Sequence, residues 1–88
     1  MEKLNQTVKC ILLKNNVVLV SEIIEVGSEL GEPDCKLVNP YQYNENGAIV
    51  RWNSHLTDQN EFMIHSDSIL TILEPTGEIL KSYFELVS

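Results

Sequence analysis

The sequence is poor in the residues that usually advertise a chemistry. Two cysteines in 88 residues are too few for a disulfide-stapled fold. Cys10 and Cys35 sit inside the apolar runs VKCILL and CKLV, where free thiols act as small buried hydrophobes in a reducing compartment. The two histidines, His55 and His65, share no paired spacing with each other or with the cysteines, which removes the common zinc patterns. With only four glycines there is no Gly-rich phosphate loop. Cations are scarce: six Lys and Arg against 13 Asp and Glu leave a formal charge of −7. The long-range field therefore repels phosphate backbones, and any nucleic-acid contact must be local. No apolar run reaches the length that spans a bilayer, and the opening MEKLNQTVK lacks the apolar core of a signal segment. These absences point to a cytoplasmic protein that is not an enzyme, with no cofactor, no metal and no membrane partner.

What is present is strand chemistry. An apolar fraction of 43% suits one folded domain over residues 1–88, since two domains of this size would each lack a core. Thr7 to Lys14, TVKCILLK, stops at Asn15-Asn16, a pair that tolerates the positive φ of a tight turn, and VVLVSEIIEV follows, so the two runs form a hairpin. Ser21 in the second run marks a bend. GSELGEPD, Gly27 to Asp34, is loop chemistry. CKLVNPYQY is extended again, with Pro40 confined to an edge or a bulge because it has no amide hydrogen. NENG turns the chain into AIVRW, HLTDQN interrupts it, and EFMIH is joined to SILTIL by Ser66-Asp67-Ser68 alone. Five principal strands result, and Glu74-Pro75 closes the sheet. After Thr76, a helix N-cap residue, Ile79, Leu80, Tyr83, Phe84 and Val87 recur at helical spacing, which predicts an amphipathic helix over about 77–87.

Few side chains offer a site. His55 and His65 read as loop and strand-end residues with no catalytic partner. Glu29, Glu32 and Asp34 lack the alternation of a calcium loop and read as a solvated segment. Tyr41, Tyr43 and Trp52 flank the NENG turn, where they could stack on bases or pair across strands to hold a hairpin.

Two segments carry a family resemblance. VKCILLKNNVVLVSEIIEV resembles the first signature of Sm-like (LSm-type) proteins, with Asn15-Asn16 at the place of its Asp-Gly or Asn-Gly turn. IHSDSILTIL resembles the second, in which two apolar strands meet at a very short loop. The resemblance covers about residues 7–73, and the late helix with the HLTDQN insertion is most similar to small phage-encoded members, which would place the protein in a host cytoplasm. It departs from the family at Ser21, where a strand-bending glycine is usual, at His65-Ser66, where Arg-Gly is usual, and around Lys36, where an Asn is missing.

The resemblance implies a mainly β fold: a strongly bent, five-stranded antiparallel sheet closed into a small Sm/SH3-like barrel, here with a C-terminal helix. It implies a homo-oligomeric ring of about five to seven subunits, whose interface would use Phe62, Met63, Ile64, Ile69, Leu70 and Ile72. It further implies weak binding of single-stranded RNA through Lys36, His65, Ser66 and Asp67, in RNA metabolism or regulation. Loss of the arginine weakens that inference, because neutral His carries no charge where Arg always does. A ring-shaped scaffold for protein interactions is the alternative, and an acidic mimic of nucleic acid a third reading.

Overall fold

The structure is a computed structural model that describes residues 8–27 and 29–87. The opening MEKLNQ, Thr7 at the start of the first apolar run, and Ser28 of the GSELGEPD loop lie outside the described residues. Six strands and one helix follow in order: β1 (Val8–Leu13), β2 (Val18–Glu25), β3 (Cys35–Tyr43), β4 (Ile49–Arg51), β5 (Glu61–Ile64), β6 (Ile69–Leu73) and α1 (Gly77–Val87). The sheet is antiparallel throughout, with neighbours in the order β4-β3-β2-β1-β6, and β5 also pairs with β3. The expected five strands become six because AIVRW forms a short strand of its own against Tyr41–Tyr43, while EFMI pairs separately with Cys35–Val38.

The β1–β2 hairpin turns where the asparagines stand. Asn16 has φ 71°, a left-handed conformation that Asn adopts more readily than most residues, and the Asn15 side chain accepts the Val17 amide at 3.1 Å. The bend expected at Ser21 is shared with Pro40. Between Val20 and Glu22 the register with β3 shifts, so that β3 carries one extra residue, and Asn39 beside Pro40 takes φ 55°. Fully buried Ser21 shares its hydroxyl hydrogen between the carbonyls of Glu22, at 2.8 Å, and Val38, at 3.1 Å. A bulge accepts proline, as it need not supply a ladder donor. Here it also splits β3 in two: the half before it takes β5 and the half after it takes β4.

The core lies on both faces of the sheet. On one face Val8, Cys10 and Val20 surround Tyr83 of α1, with Ile79, Leu80, Phe84 and Val87 beside it, the five helical positions that the spacing predicts. Thr76 caps the helix: its hydroxyl accepts the Ile79 amide at 3.3 Å. On the other face Ile11, Leu13, Leu19 and Leu37 are covered by Trp52, Phe62, Ile64 and Ile69. Tyr41 and Tyr43 neither stand free nor pair with each other. Both pack towards the helix, with Tyr41 meeting Tyr83 edge-on at 5.8 Å, and Trp52 tilts against Phe62 at 5.3 Å.

The expected barrel does not close. β5 and β6 are consecutive, yet β5 bonds only to β3 and β6 only to β1, at opposite edges of the sheet. The 3-10 turn Ser66–Ser68 sends the chain from one edge to the other, so no ladder joins the two strands. The sheet stays open, with α1 against one face.

Both thiols are buried, Cys10 at 7% exposure and Cys35 at 5%. Burial pushes each thiol above its ordinary pKa, and for Cys35 the charges of Asp34 and Glu25 add to it. Since the thiolate is the nucleophile, Ellman's reagent is expected to modify neither cysteine in the native protein and both in urea. Fast reaction of either in buffer would contradict this packing.

Candidate functional site

Two features stand out from the fold: the corner where β5 hands over to β6, and the β5 and β6 edges, which with short β4 are the strands that the open topology leaves paired on one side only.

The corner is built from residues far apart in sequence. Asp34, the last loop residue before β3, grips the turn after β5 with both carboxylate oxygens: the Ser66 amide donates to Oδ1 at 2.7 Å and the Ser66 hydroxyl to Oδ2 at 2.8 Å. The Asp34 amide donates in turn to the Ile64 carbonyl at 3.2 Å. Glu32, Asp34, His65, Ser66 and Asp67 line a shallow cavity of about 150 Å³ there. Three carboxylates thus face one histidine, and His65 and Asp67 are exposed. Lys36 is not part of this cavity. It stands on β3 across from Ile24 and Met63, and its Nζ lies 3.5 Å from a carboxylate oxygen of Glu61. The four residues expected to contact RNA are therefore divided into an acidic corner and a neutralised lysine. Among the described residues no group of three or more His, Cys, Asp and Glu is placed to hold a metal ion.

In the sequence Asp34 is one acid of a solvated loop. The one local signal was an acid directly before a strand; its partner Ser66 is 32 residues away, a separation that carries no periodicity. The two Ser66 hydrogen bonds hold the Asp34 carboxyl below the usual aspartate range. The folded state thus keeps this carboxylate ionised at pH values where the unfolded chain binds a proton. Its stabilising contribution is present above about pH 3.9, the ordinary aspartate value, and is lost as pH falls through the lower folded-state value. In an NMR titration the Ser66 amide proton should shift with a midpoint below about 3.9, and Asp34→Ala should remove that titration. A midpoint at or above the ordinary value would contradict the two-pronged contact.

The second feature is apolar. β6 reads ILTIL and is hydrogen-bonded on one side only, to β1. Leu70 is 59% exposed, Ile72 47% and Leu73 49%. At the opposite edge β5, EFMI, exposes Met63 at 48%. Of the six residues expected at an oligomer interface, Met63, Leu70 and Ile72 face solvent, whereas Phe62, Ile64 and Ile69 are turned onto the Ile11–Leu37 core. Although β6 carries one extra residue, Leu70, against β1, neither strand has the lysine or proline that usually blunts a free edge. Its one charge is Glu61, which Lys36 meets.

The chain belongs to a family of unknown function, DUF6561, whose model matches residues 6–88. No Sm-like family is matched, and this overturns the resemblance to Sm-like proteins. The two segments that carried it share only generic features, a tight hairpin and a short connection between apolar strands. The positions that make the Sm signatures specific are occupied here by Ser21, Lys36 and His65-Ser66. No curated protein matches the chain. No helix among the described residues is long and apolar enough to cross a membrane.

Proposed function

We propose that the protein is a non-enzymatic assembly module: a homo-oligomer in which the β6 edge of one copy adds to the β5 edge of the next, forming a scaffold for protein interactions. The observation that carries this reading is the pair of β5 and β6 edges on opposite sides of one sheet, each unpaired and presenting exposed apolar side chains, the third free edge being the three-residue β4. Unpaired backbone groups beside exposed Leu, Ile and Met form a template for another strand. A two-fold β6–β6 contact would leave β5 bare, and a β5–β5 contact would leave β6 bare. One head-to-tail contact covers both, and such a contact closes into a ring or grows as a filament. The seam that stays open within a chain is then closed between chains. The number of five to seven subunits rested on the Sm resemblance and goes with it; rotation per contact sets the number.

Charge favours protein over RNA as the partner. The corner presents Glu32, Asp34 and Asp67 around His65, and Lys36 is engaged by Glu61, so a phosphate would meet carboxylates first. Light scattering coupled to size exclusion, with the absorbance ratio read across the same peak, tests both points. The expected result is a mass of several subunits at micromolar concentration with no nuclease-sensitive absorbance. A monomer would end the assembly reading, and co-eluting RNA would replace the scaffold by a nucleic-acid role.

A further inference from the structure

A second cavity borders the same corner from the side of the β1–β2 turn, shares no lining residue with the acidic one and carries a different chemistry. About 380 Å³ in volume, it is lined by Leu13, Lys14, Asn15, Trp52, Ile64 and Ser68, where the β1–β2 turn, the end of β5 and the Ser66–Ser68 turn converge. The Lys14 amide donates to the Ser68 carbonyl at 2.9 Å, which ties the two sides together. Its apolar lining is buried Leu13 with half-buried Ile64 and Trp52, and Trp52 is backed by Phe62 at 5.3 Å.

The polar groups around this apolar lining are donors. Among the described residues, neither Lys14 Nζ nor Ser68 Oγ has a partner within the chain. The oxygen of the Asn15 amide is taken by the Val17 amide, leaving its NH2 to donate. Thus a chain of net charge −7 lines this one apolar cavity with a cation and no carboxylate. An apolar hollow near the small end of ligand-site volumes, with a few polar groups converging on it, is the usual form of a small-molecule site. Unanswered donors select a ligand rich in acceptors.

We propose that this cavity binds a small apolar carboxylate of arylacetate size, its hydrocarbon body against Leu13, Ile64 and Trp52 and its carboxylate at Lys14 and Ser68. The inference does not depend on the assembly. Trp52 is the single tryptophan, so its fluorescence reports the site directly. Titrating the full chain with phenylacetate should give a saturable change in Trp52 emission. Phenylacetamide, which keeps the ring and loses the charge, should bind about tenfold or more weakly. Lys14 is exposed, so Lys14→Met should stay folded, weaken phenylacetate by about tenfold or more, and leave phenylacetamide unchanged. Lys14→Arg should restore binding. Equal affinity for acid and amide, or indifference to Lys14→Met, overturns the carboxylate assignment. An emission that responds to dilution of the protein but not to phenylacetate overturns the site as well, because a second copy then fills the cavity.

Discussion

Tyr83→Ala should cost the fold about 3–5 kcal/mol, the range for removing a large buried aromatic side chain. That is a large fraction of what a domain of this length has to lose. Tyr83 is fully buried, and it is the residue through which α1 reaches Val8, Cys10 and Val20 on the sheet. It also meets Tyr41 and Phe84 edge-on. In urea the midpoint should fall by roughly 2–3 M. Tyr83→Phe separates packing from polarity. The phenol donates to the Asn39 carbonyl at 2.9 Å, with the Val38 carbonyl at 3.3 Å. Both carbonyls belong to the bulge, and that of Val38 also accepts the Ser21 hydroxyl. Losing the hydroxyl removes the hydrogen bond to the Asn39 carbonyl, at about 0.5–1.5 kcal/mol. A Tyr83→Phe loss as large as that of Tyr83→Ala would mean that the hydrogen bond, not the ring, holds the helix.

The same residue sets an alkaline limit. Burial, and after it the charge of Glu22, pushes the Tyr83 phenol above its ordinary pKa. Above about pH 10, where an unfolded tyrosine ionises, the unfolded chain releases a proton that the folded chain keeps. Stability therefore falls as pH rises through that range. Tyr83→Phe should flatten this loss relative to the native chain, whatever the other tyrosines and lysines contribute to both.

Local structure was legible where a residue's own chemistry decided it. Asn15-Asn16 turned the hairpin, Thr76 capped the helix, and helical spacing picked the five residues that face the sheet. Pro40 stands at a bulge because a residue without an amide hydrogen can stand in few other places. What could not be read were pairings between distant segments. Nothing in AIVRW says that three residues will make a strand while the rest turn. Nothing in EFMI says that it will pair with β3 rather than β6, yet this choice decides between a closed barrel and an open sheet. Tyr41 and Tyr43 do stand on the hairpin around the NENG turn, but nothing near them says that they pack on a helix some forty residues on. Period-two reading of two strands apolar on both faces likewise could not sort Phe62, Ile64 and Ile69, which face inward, from Met63, Leu70 and Ile72, which do not.

The outward residues support the sharpest test of assembly. Leu70→Lys should abolish the oligomer, since it forfeits about 1.5–3 kcal/mol of burial per contact, roughly 10- to 150-fold in its Kd, and also sets an unpaired ammonium between apolar strands. The monomer should lose almost nothing, as Leu70 is already 59% exposed in the single chain and such surface changes rarely exceed about 0.5 kcal/mol. Met63→Lys should have the same effect from the other edge. Val50→Lys is the control: Val50 is an exposed apolar residue on β4, outside the proposed contact, so its mass should match the native chain. Mixing then fixes the geometry. A Leu70→Lys subunit keeps its β5 edge and a Met63→Lys subunit keeps its β6 edge, so head-to-tail pairing allows the two variants one contact and yields a heterodimer. If β6 paired with β6, Met63→Lys would remain associated by itself and the mixture would show nothing new. If both variants kept the native mass, the contact would lie on another surface altogether.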